Sequence, residues 1–146
     1  MSSAKPLISE YLIIAIVLLI SACPSLAADY VPVSYKEKDF VDAWCAASQG
    51  ATEVQQADRT RIDCVTAEYA IEFDFGVKWA EAIGQALFYS AESGLKPGIV
   101  LILKKPGDIR YLARLEKANR HHRLNIRIWV MRPDDLTHPS RAMGLH

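Results

Sequence analysis

The stretch that decides the fold is Arg61–Tyr89, which reads RIDCVTAEYAIEFDFGVKWAEAIGQALFY. It places one acid, Asp63, in a short apolar run and two more, Glu72 and Asp74, at alternate positions of the next run. Carboxylates buried in a strand cost free energy unless they meet a positive partner. A helix carrying a Lys, a Gln and a Tyr follows at once. The pattern therefore favours a divalent-cation site at the edge of a sheet.

Alternating hydrophobicity predicts that this stretch forms two paired strands followed by a helix. The second strand of the chain, residues 61–65, is expected to direct Asp63 to one face and both Ile62 and Cys64 to the other. The third strand, residues 69–75, directs four apolar side chains to one face and leaves Glu72 and Asp74 on the opposite face. The helix over residues 77–93 ends at Gly94.

The flanking sequence completes a mixed α/β domain, which we assign to residues 29–131. We expect helices at 35–48 and 108–121, and further strands at 51–56, 99–103 and 125–130. The resulting order is αβββαβαβ, in which hairpins begin the sheet and helical crossovers give parallel pairings. Residues 132–146 show no periodicity and are expected to form a flexible C-terminal tail.

The first 28 residues have the layout of a secretory signal peptide. Lys5 precedes the apolar run at 11–20, and small residues follow at 25–28. The run is shorter than the roughly 20 residues that span a bilayer, although a transmembrane anchor is an alternative. Lipidation of Cys23, which follows Ile-Ser-Ala, is a second alternative. We therefore expect a periplasmic or secreted protein, or a lipoprotein, with no transmembrane helix in the mature chain.

Two cysteines, Cys45 and Cys64, remain in the mature domain. An even pair in an oxidising compartment favours a disulfide. A bridge closing a loop of about 20 residues would stabilise the fold by about 3 kcal/mol. If the first helix covers the face of the sheet opposite Asp63, then Cys45 is positioned to meet Cys64.

The formal net charge is zero, but the charges are unevenly distributed. Residues 28–95 carry 12 acidic and 5 basic side chains, whereas residues 96–146 carry 4 acidic and 11 basic ones. An acidic half able to hold a cation thus adjoins a basic half able to meet a phosphate backbone. Two solvated faces that balance each other are the alternative.

The carboxylates suit a hard cation such as Mg²⁺ or Mn²⁺, which prefers oxygen ligands. We expect Asp63, Glu72 and Asp74 to converge on one ion. If the following helix faces them, Lys78 and Gln85 can hold an attacking water or a scissile phosphate. A merely solvated acidic face is the alternative.

In these residues the chain resembles the PD-(D/E)xK nuclease superfamily, over about residues 35–103. Asp63 is similar to the first acid of the superfamily's pattern, Glu72 to the second and Gln85 to the glutamine of the following helix. The QALFY segment that begins at Gln85 and ends at Tyr89 resembles the QxxxY motif of the RecB-type branch. The resemblance implies a restriction-endonuclease-like αβββαβ core, here extended by a C-terminal α-β unit, and a Mg²⁺-dependent phosphodiesterase activity.

The sequence departs from this pattern at Asp74, which stands where the superfamily has a lysine. Some restriction enzymes of the superfamily carry an acid at this position, and Lys78 can supply an ammonium group from the helix instead. The block DCVT…AIEFDF…KWAEAIGQAL also resembles small exported bacterial proteins.

Three functions follow as hypotheses. The first is an exported Mg²⁺-dependent nuclease whose phosphate-backbone contacts come from the basic helix: Arg110, Arg114, Lys117 and Arg120. The second is a catalytically inactive binding module of the cell envelope that keeps the nuclease fold. The third is a disulfide-braced envelope protein whose acids hold a structural cation. The choice between DNA and RNA, and the oligomeric state, stay open.

Overall fold

A five-stranded mixed sheet organises the part of the chain that the computed structural model describes, residues 34–144. The first three strands pair antiparallel, and the third, fourth and fifth pair parallel, in the order β1-β2-β3-β4-β5. The predicted α/β class, the mixed sheet and the order of elements are confirmed. The strands are β1 (Ala51–Gln55), β2 (Arg61–Val65), β3 (Tyr69–Phe75), β4 (Lys96–Ile102) and β5 (Arg127–Met131).

Helices flank the sheet on both faces. They are α1 (Glu37–Ala47), α2 (Trp79–Ser93) and α3 (Ile109–His122), with short 3-10 helices at Gly76–Lys78, Pro106–Asp108, Pro133–Thr137 and Pro139–Met143. The α1 helix buries its apolar side chains against odd-numbered residues of β3, whereas α2 and α3 pack against Ile99 and Leu101 of β4. Because β4 is covered on both faces, it is apolar from Ile99 onward, as expected for a central parallel strand.

The predicted disulfide between Cys45 and Cys64 is confirmed, with the two Cα atoms 5.8 Å apart. It links α1 to β2. The bridge lies against Gly50, in the short loop between α1 and β1, and leaves no room there for a side chain. A Cβ atom added to Gly50 would lie 2.7 Å from the Cys64 sulfur and 2.8 Å from the Cys45 sulfur. An intramolecular disulfide fits a protein of an oxidising compartment.

The strand pair β1–β2 is distorted where Glu53 lies opposite Asp63. Glu53 has a φ of 54°, in the left-handed region that side chains rarely adopt, and no pairing is formed between these two positions. Our expectation that Ile62 and Cys64 share one face is wrong. Ile62 packs with Tyr89 of α2, whereas Cys64 packs against α1. The positive φ interrupts the regular alternation of the strands, which the sequence pattern alone did not show.

The C-terminal segment, which we expected to be a flexible tail from residue 132, contains regular structure up to Gly144. Its two 3-10 helices place Leu136 and Ala142 against the core cluster beneath α1. Short 3-10 turns lack the 3.6-residue repeat, so hydrophobic periodicity does not reveal them.

The predicted signal peptide, residues 1–28, and the lipidation site at Cys23 lie outside the described residues. Within residues 34–144, no helix is both long enough and apolar enough to cross a membrane.

Candidate carboxylate site

Two buried carboxylates project from one face of β3. Glu72 is 4% exposed and Asp74 is 2% exposed, on the side of the strand that faces α2. Strand alternation places them there because Ile71 and Phe73 occupy the opposite face under α1. The predicted pairing of these two acids on one face agrees with this arrangement.

Asp63 of β2 joins this pair. Its Oδ2 accepts a hydrogen bond from the backbone N–H of Phe73, at 2.8 Å, so the carboxylate replaces a ladder partner between β2 and β3. The Glu72 carboxyl is close enough to Asp63 that the two acids shift each other's pKa. The regular β2–β3 register covers only Cys64 and Val65, which leaves room for the carboxylate between the strands.

A fourth acid, Glu37, completes the group and was not predicted. It is the first residue of α1, and the charge of Asp74 is one of the causes that raise its pKa, so the two acids are neighbours. An acid in the first turn of a helix is ordinarily explained by the helix dipole, so the sequence pattern does not indicate that Glu37 lies near Asp74. Only the tertiary position of α1 brings the two together.

The four carboxyl groups hold their protons unusually strongly. Burial, reinforced by the charges of Asp63, Asp74 and Glu37, raises the pKa of Glu72 to about 9. Burial, followed by the charges of Asp74 and Asp63, raises the pKa of Glu37 to about 7. Burial also raises the pKa of Asp63, to about 6, and raises the pKa of Asp74. The group therefore retains protons at neutral pH because no positive charge compensates it fully.

One oxygen of this group has no partner. Glu72 Oε2 is buried and forms no hydrogen bond with any described residue. An unsatisfied buried acceptor costs free energy, and native structures seldom keep one without a purpose. It is the feature of the site that most directly indicates a missing positive partner.

Lys78 provides the nearest ammonium group. Its Nζ lies 3.5 Å from Asp74 Oδ1 and 3.9 Å from Glu81 Oε1, and the side chain is 52% exposed. The charge of Asp74, more than that of Glu81, raises the pKa of Lys78. The exposed ammonium group is free to reach a ligand at the mouth of the site while it remains next to a buried carboxylate.

Gln85 lies one helical turn before Tyr89 in α2. Burial, followed by the charges of Glu72 and Asp63, raises the pKa of Tyr89, and the neighbouring Gln85 side chain opposes this shift. Tyr89 is itself buried against Ile62. The structure thus brings Asp63, Glu72, Asp74 and Lys78 together, while Gln85 neighbours Tyr89.

The basic side chains of α3 divide into two groups. The guanidinium groups of Arg110 and Arg114 lie 4.7 and 5.7 Å from the ring centre of Tyr111. Tyr111 in turn packs beside Gly76, two residues after Asp74 in the chain. At the far end, Arg120 pairs with Glu116 of the same helix at 3.3 Å. Lys117 is exposed.

Across residues 34–144, no three His, Cys, Asp or Glu side chains are arranged so that they could hold a metal ion as they stand. The donor chemistry nevertheless suits Mg²⁺ or Mn²⁺, because all four acids offer oxygen ligands and Glu72 Oε2 is unpartnered. No protein-family profile matches the sequence, and neither a curated protein nor a solved structure matches it.

Proposed function

We propose that this protein is a divalent-cation-dependent phosphodiesterase that cleaves nucleic acid, built on a restriction-endonuclease-like core. The observation that carries the proposal is the buried, unpartnered oxygen of Glu72, set among three further carboxyl groups. An acidic cluster alone is weak support, since carboxylates often form a solvated surface. Here Glu72 and Asp74 are buried, and their raised pKa values mean that a cation would relieve their mutual repulsion.

Asp63, Glu72 and Asp74 would hold Mg²⁺ or Mn²⁺ once their protons are displaced. The ion, when bound, lowers the pKa of a coordinated water and offsets the negative charge that grows on the phosphate. Lys78 would bind a non-bridging phosphate oxygen with the ammonium group that now lies next to Asp74. It thereby substitutes for the lysine that the superfamily carries at the position of Asp74.

Glu37 would act as the proton carrier of this site. It neighbours Asp74 at the start of α1, and a carboxyl group there can exchange a proton with the leaving oxygen. Gln85 would serve as a positioning residue, because it contacts Tyr89 rather than the acids.

The basic residues of α3 would contact the phosphate backbone. Arg110 and Arg114 are the best placed of these residues. Both lie near the ring of Tyr111, and Tyr111 packs beside Gly76, which follows Asp74. Phosphate contacts by arginine position a nucleic acid without reading its sequence. Lys117 and Arg120 would extend the contact along the helix.

The second candidate is a binding module that keeps the fold and binds nucleic acid or an envelope protein without cleaving it. The observation that favours it is Asp74, a fully buried acid at the position where the superfamily carries its lysine. In this case Lys78 would do no more than neutralise Asp74.

Calorimetric titration of Mg²⁺ and Mn²⁺ into the protein and into Glu72→Gln tests the proposal, with Glu92→Gln as the matched control. Glu92 is an exposed acid near the end of α2, so its substitution makes the same chemical replacement outside the site. Each sample is then assayed on plasmid DNA, single-stranded DNA and RNA. We expect binding and cleavage in the wild type and in Glu92→Gln, and neither in Glu72→Gln.

Circular dichroism confirms that each variant is folded. Cation binding without cleavage of any substrate would support the binding module or a structural cation instead. No cation binding by the folded wild type would refute the proposed phosphodiesterase.

A further inference from the structure

The outer edge of β5 carries a groove that the proposed catalytic site does not use. It has a volume of about 360 Å³ and lies between β5 and the C-terminal 3-10 segment, with Arg127, Arg132 and Arg141 among its lining residues. β5 is the last strand of the sheet, and no other described strand pairs with its outer side. The carboxylates lie on β2 and β3, with β4 between them and β5.

The groove is strongly basic. Its three arginines are exposed, and none of them forms an ion pair with a described residue. Asp135 is the one acid among the described lining residues, and its Oδ2 already accepts the backbone N–H of Arg132 at 2.8 Å. The Arg127 guanidinium lies 5.7 Å from the ring centre of Trp129. The Trp129 ring packs edge-on against the Trp44 ring, and this contact restricts the ring on which the Arg127 side chain lies.

The backbone of β5 also offers hydrogen-bonding groups to this groove. The Met131 carbonyl accepts the Leu103 N–H at 2.9 Å, so Met131 directs its polar backbone groups towards β4. The N–H and C=O groups of successive residues alternate in direction along a strand, so those of Ile128 and Val130 point outward. Both residues line the groove, and neither has a turn, loop or cap hydrogen bond within residues 34–144. Unpaired edge groups of this kind are a template for another strand.

We propose that this groove binds an extended acidic peptide, which adds a strand to β5. Arg127 and Arg132 are five residues apart, about 16 Å along a strand, so a single small anion would leave at least one of them without a partner. An extended peptide presents both N–H and C=O groups to Ile128 and Val130, while its acidic side chains reach the arginines.

A nucleic-acid strand suits the groove less well. Its phosphates would satisfy the arginines, but its backbone has no regular N–H donors for the outward carbonyls of Ile128 and Val130. The peptide is therefore the ligand that satisfies both sets of groups, the charges and the backbone. This inference does not depend on the proposed phosphodiesterase activity.

Fluorescence anisotropy with the purified protein tests the proposal. The probe is a fluorescein-labelled peptide of alternating Glu and Val, compared with a Lys-Val peptide of equal length and a single-stranded oligonucleotide. We expect the Glu-Val peptide to bind, and the Lys-Val peptide not to bind. A Glu-Val peptide whose alternate backbone nitrogens are methylated should lose at least about tenfold in affinity, because it cannot pair along the edge.

The variant Arg127→Gln/Arg141→Gln should bind the Glu-Val peptide about tenfold more weakly. The double variant Arg59→Gln/Arg123→Gln is the matched control, since it removes two exposed arginines elsewhere and should leave binding unchanged. Amide exchange at Ile128 and Val130 should slow when the peptide is bound. Binding that is equal for the methylated peptide, unchanged in the groove variant, or tighter for the oligonucleotide would overturn the proposal.

Discussion

The two faces of β3 differ in chemistry although they belong to the same seven residues. One face carries Ile71 and Phe73, which pack under α1 in a dry cluster of aromatic and aliphatic side chains. The other carries Glu72 and Asp74, which form a partly protonated cluster of carboxyl groups with Asp63 and Glu37. The two-residue period of a strand is what keeps these environments apart.

This difference between the two faces explains how the fold accommodates its buried acids. Burying several carboxyl groups together costs free energy, through both desolvation and repulsion. The opposite face offsets that cost because it combines aromatic packing, such as Trp44 on Phe73 at 5.8 Å, with the disulfide to α1. We therefore expect substitutions on the apolar face to lower stability and substitutions on the carboxylate face to raise it.

The largest expected effect on stability is that of Phe73→Ala. The Phe73 side chain projects from β3 towards α1 and is fully buried. Removing its ring should lower the free energy of unfolding by about 4 kcal/mol. Urea unfolding measures the change. Phe88→Ala is the matched control, because Phe88 is 42% exposed on α2 and should cost less than about 1 kcal/mol. Equal losses in the two variants would contradict the assignment of the core to the α1 face.

A smaller loss is expected from Cys45→Ala/Cys64→Ala. The two bridged cysteines are 19 residues apart in the sequence, so removal of the bridge should lower the free energy of unfolding by about 3 kcal/mol. Thermal unfolding of the variant is compared with that of the wild type with and without reductant. The reduced wild type should resemble the variant. A wild type that is insensitive to reductant and contains two free thiols would show that the bridge does not form.

Sequence alone predicted the parts of this arrangement that depend on local pattern. The alternation of β3 placed Glu72 and Asp74 on one face, and the strand argument directed Cys64 towards α1 and Cys45. Both inferences succeed because alternate residues of a strand lie on the same face, so the sequence pattern indicates which side chains share it.

What the sequence did not reveal depends on tertiary geometry. Glu37 joins the site only because α1 brings its first turn beside Asp74, which lies 37 residues later in the chain. The positive φ of Glu53, which separates Ile62 from Cys64, belongs to a residue type with no strong turn preference. The outward groups of β5 likewise depend on its position as the last strand, which composition does not indicate.

The smallest of the three effects, and the opposite in sign, is expected from Glu72→Gln. Native Glu72 keeps its proton up to a pKa of about 9, whereas an unfolded glutamate releases it near 4.5. The native state therefore binds more protons over this interval, and the free energy of unfolding must fall as pH rises from about 5 to 9. Glutamine cannot ionise, so Glu72→Gln should be more stable than the wild type by about 2 kcal/mol at pH 6 and nearly equal to it at pH 4.

Denaturant unfolding of wild type, Glu72→Gln and Glu92→Gln in metal-free buffer from pH 4 to pH 9 measures this effect. Glu92→Gln should follow the wild type at every pH, because its side chain is exposed. Parallel stability curves for wild type and Glu72→Gln would mean that the carboxylate face carries no such cost. A shallower pH dependence in Glu72→Gln alone would show that the two faces of β3 act in opposite directions on stability, and that the acids are kept there for a purpose other than folding.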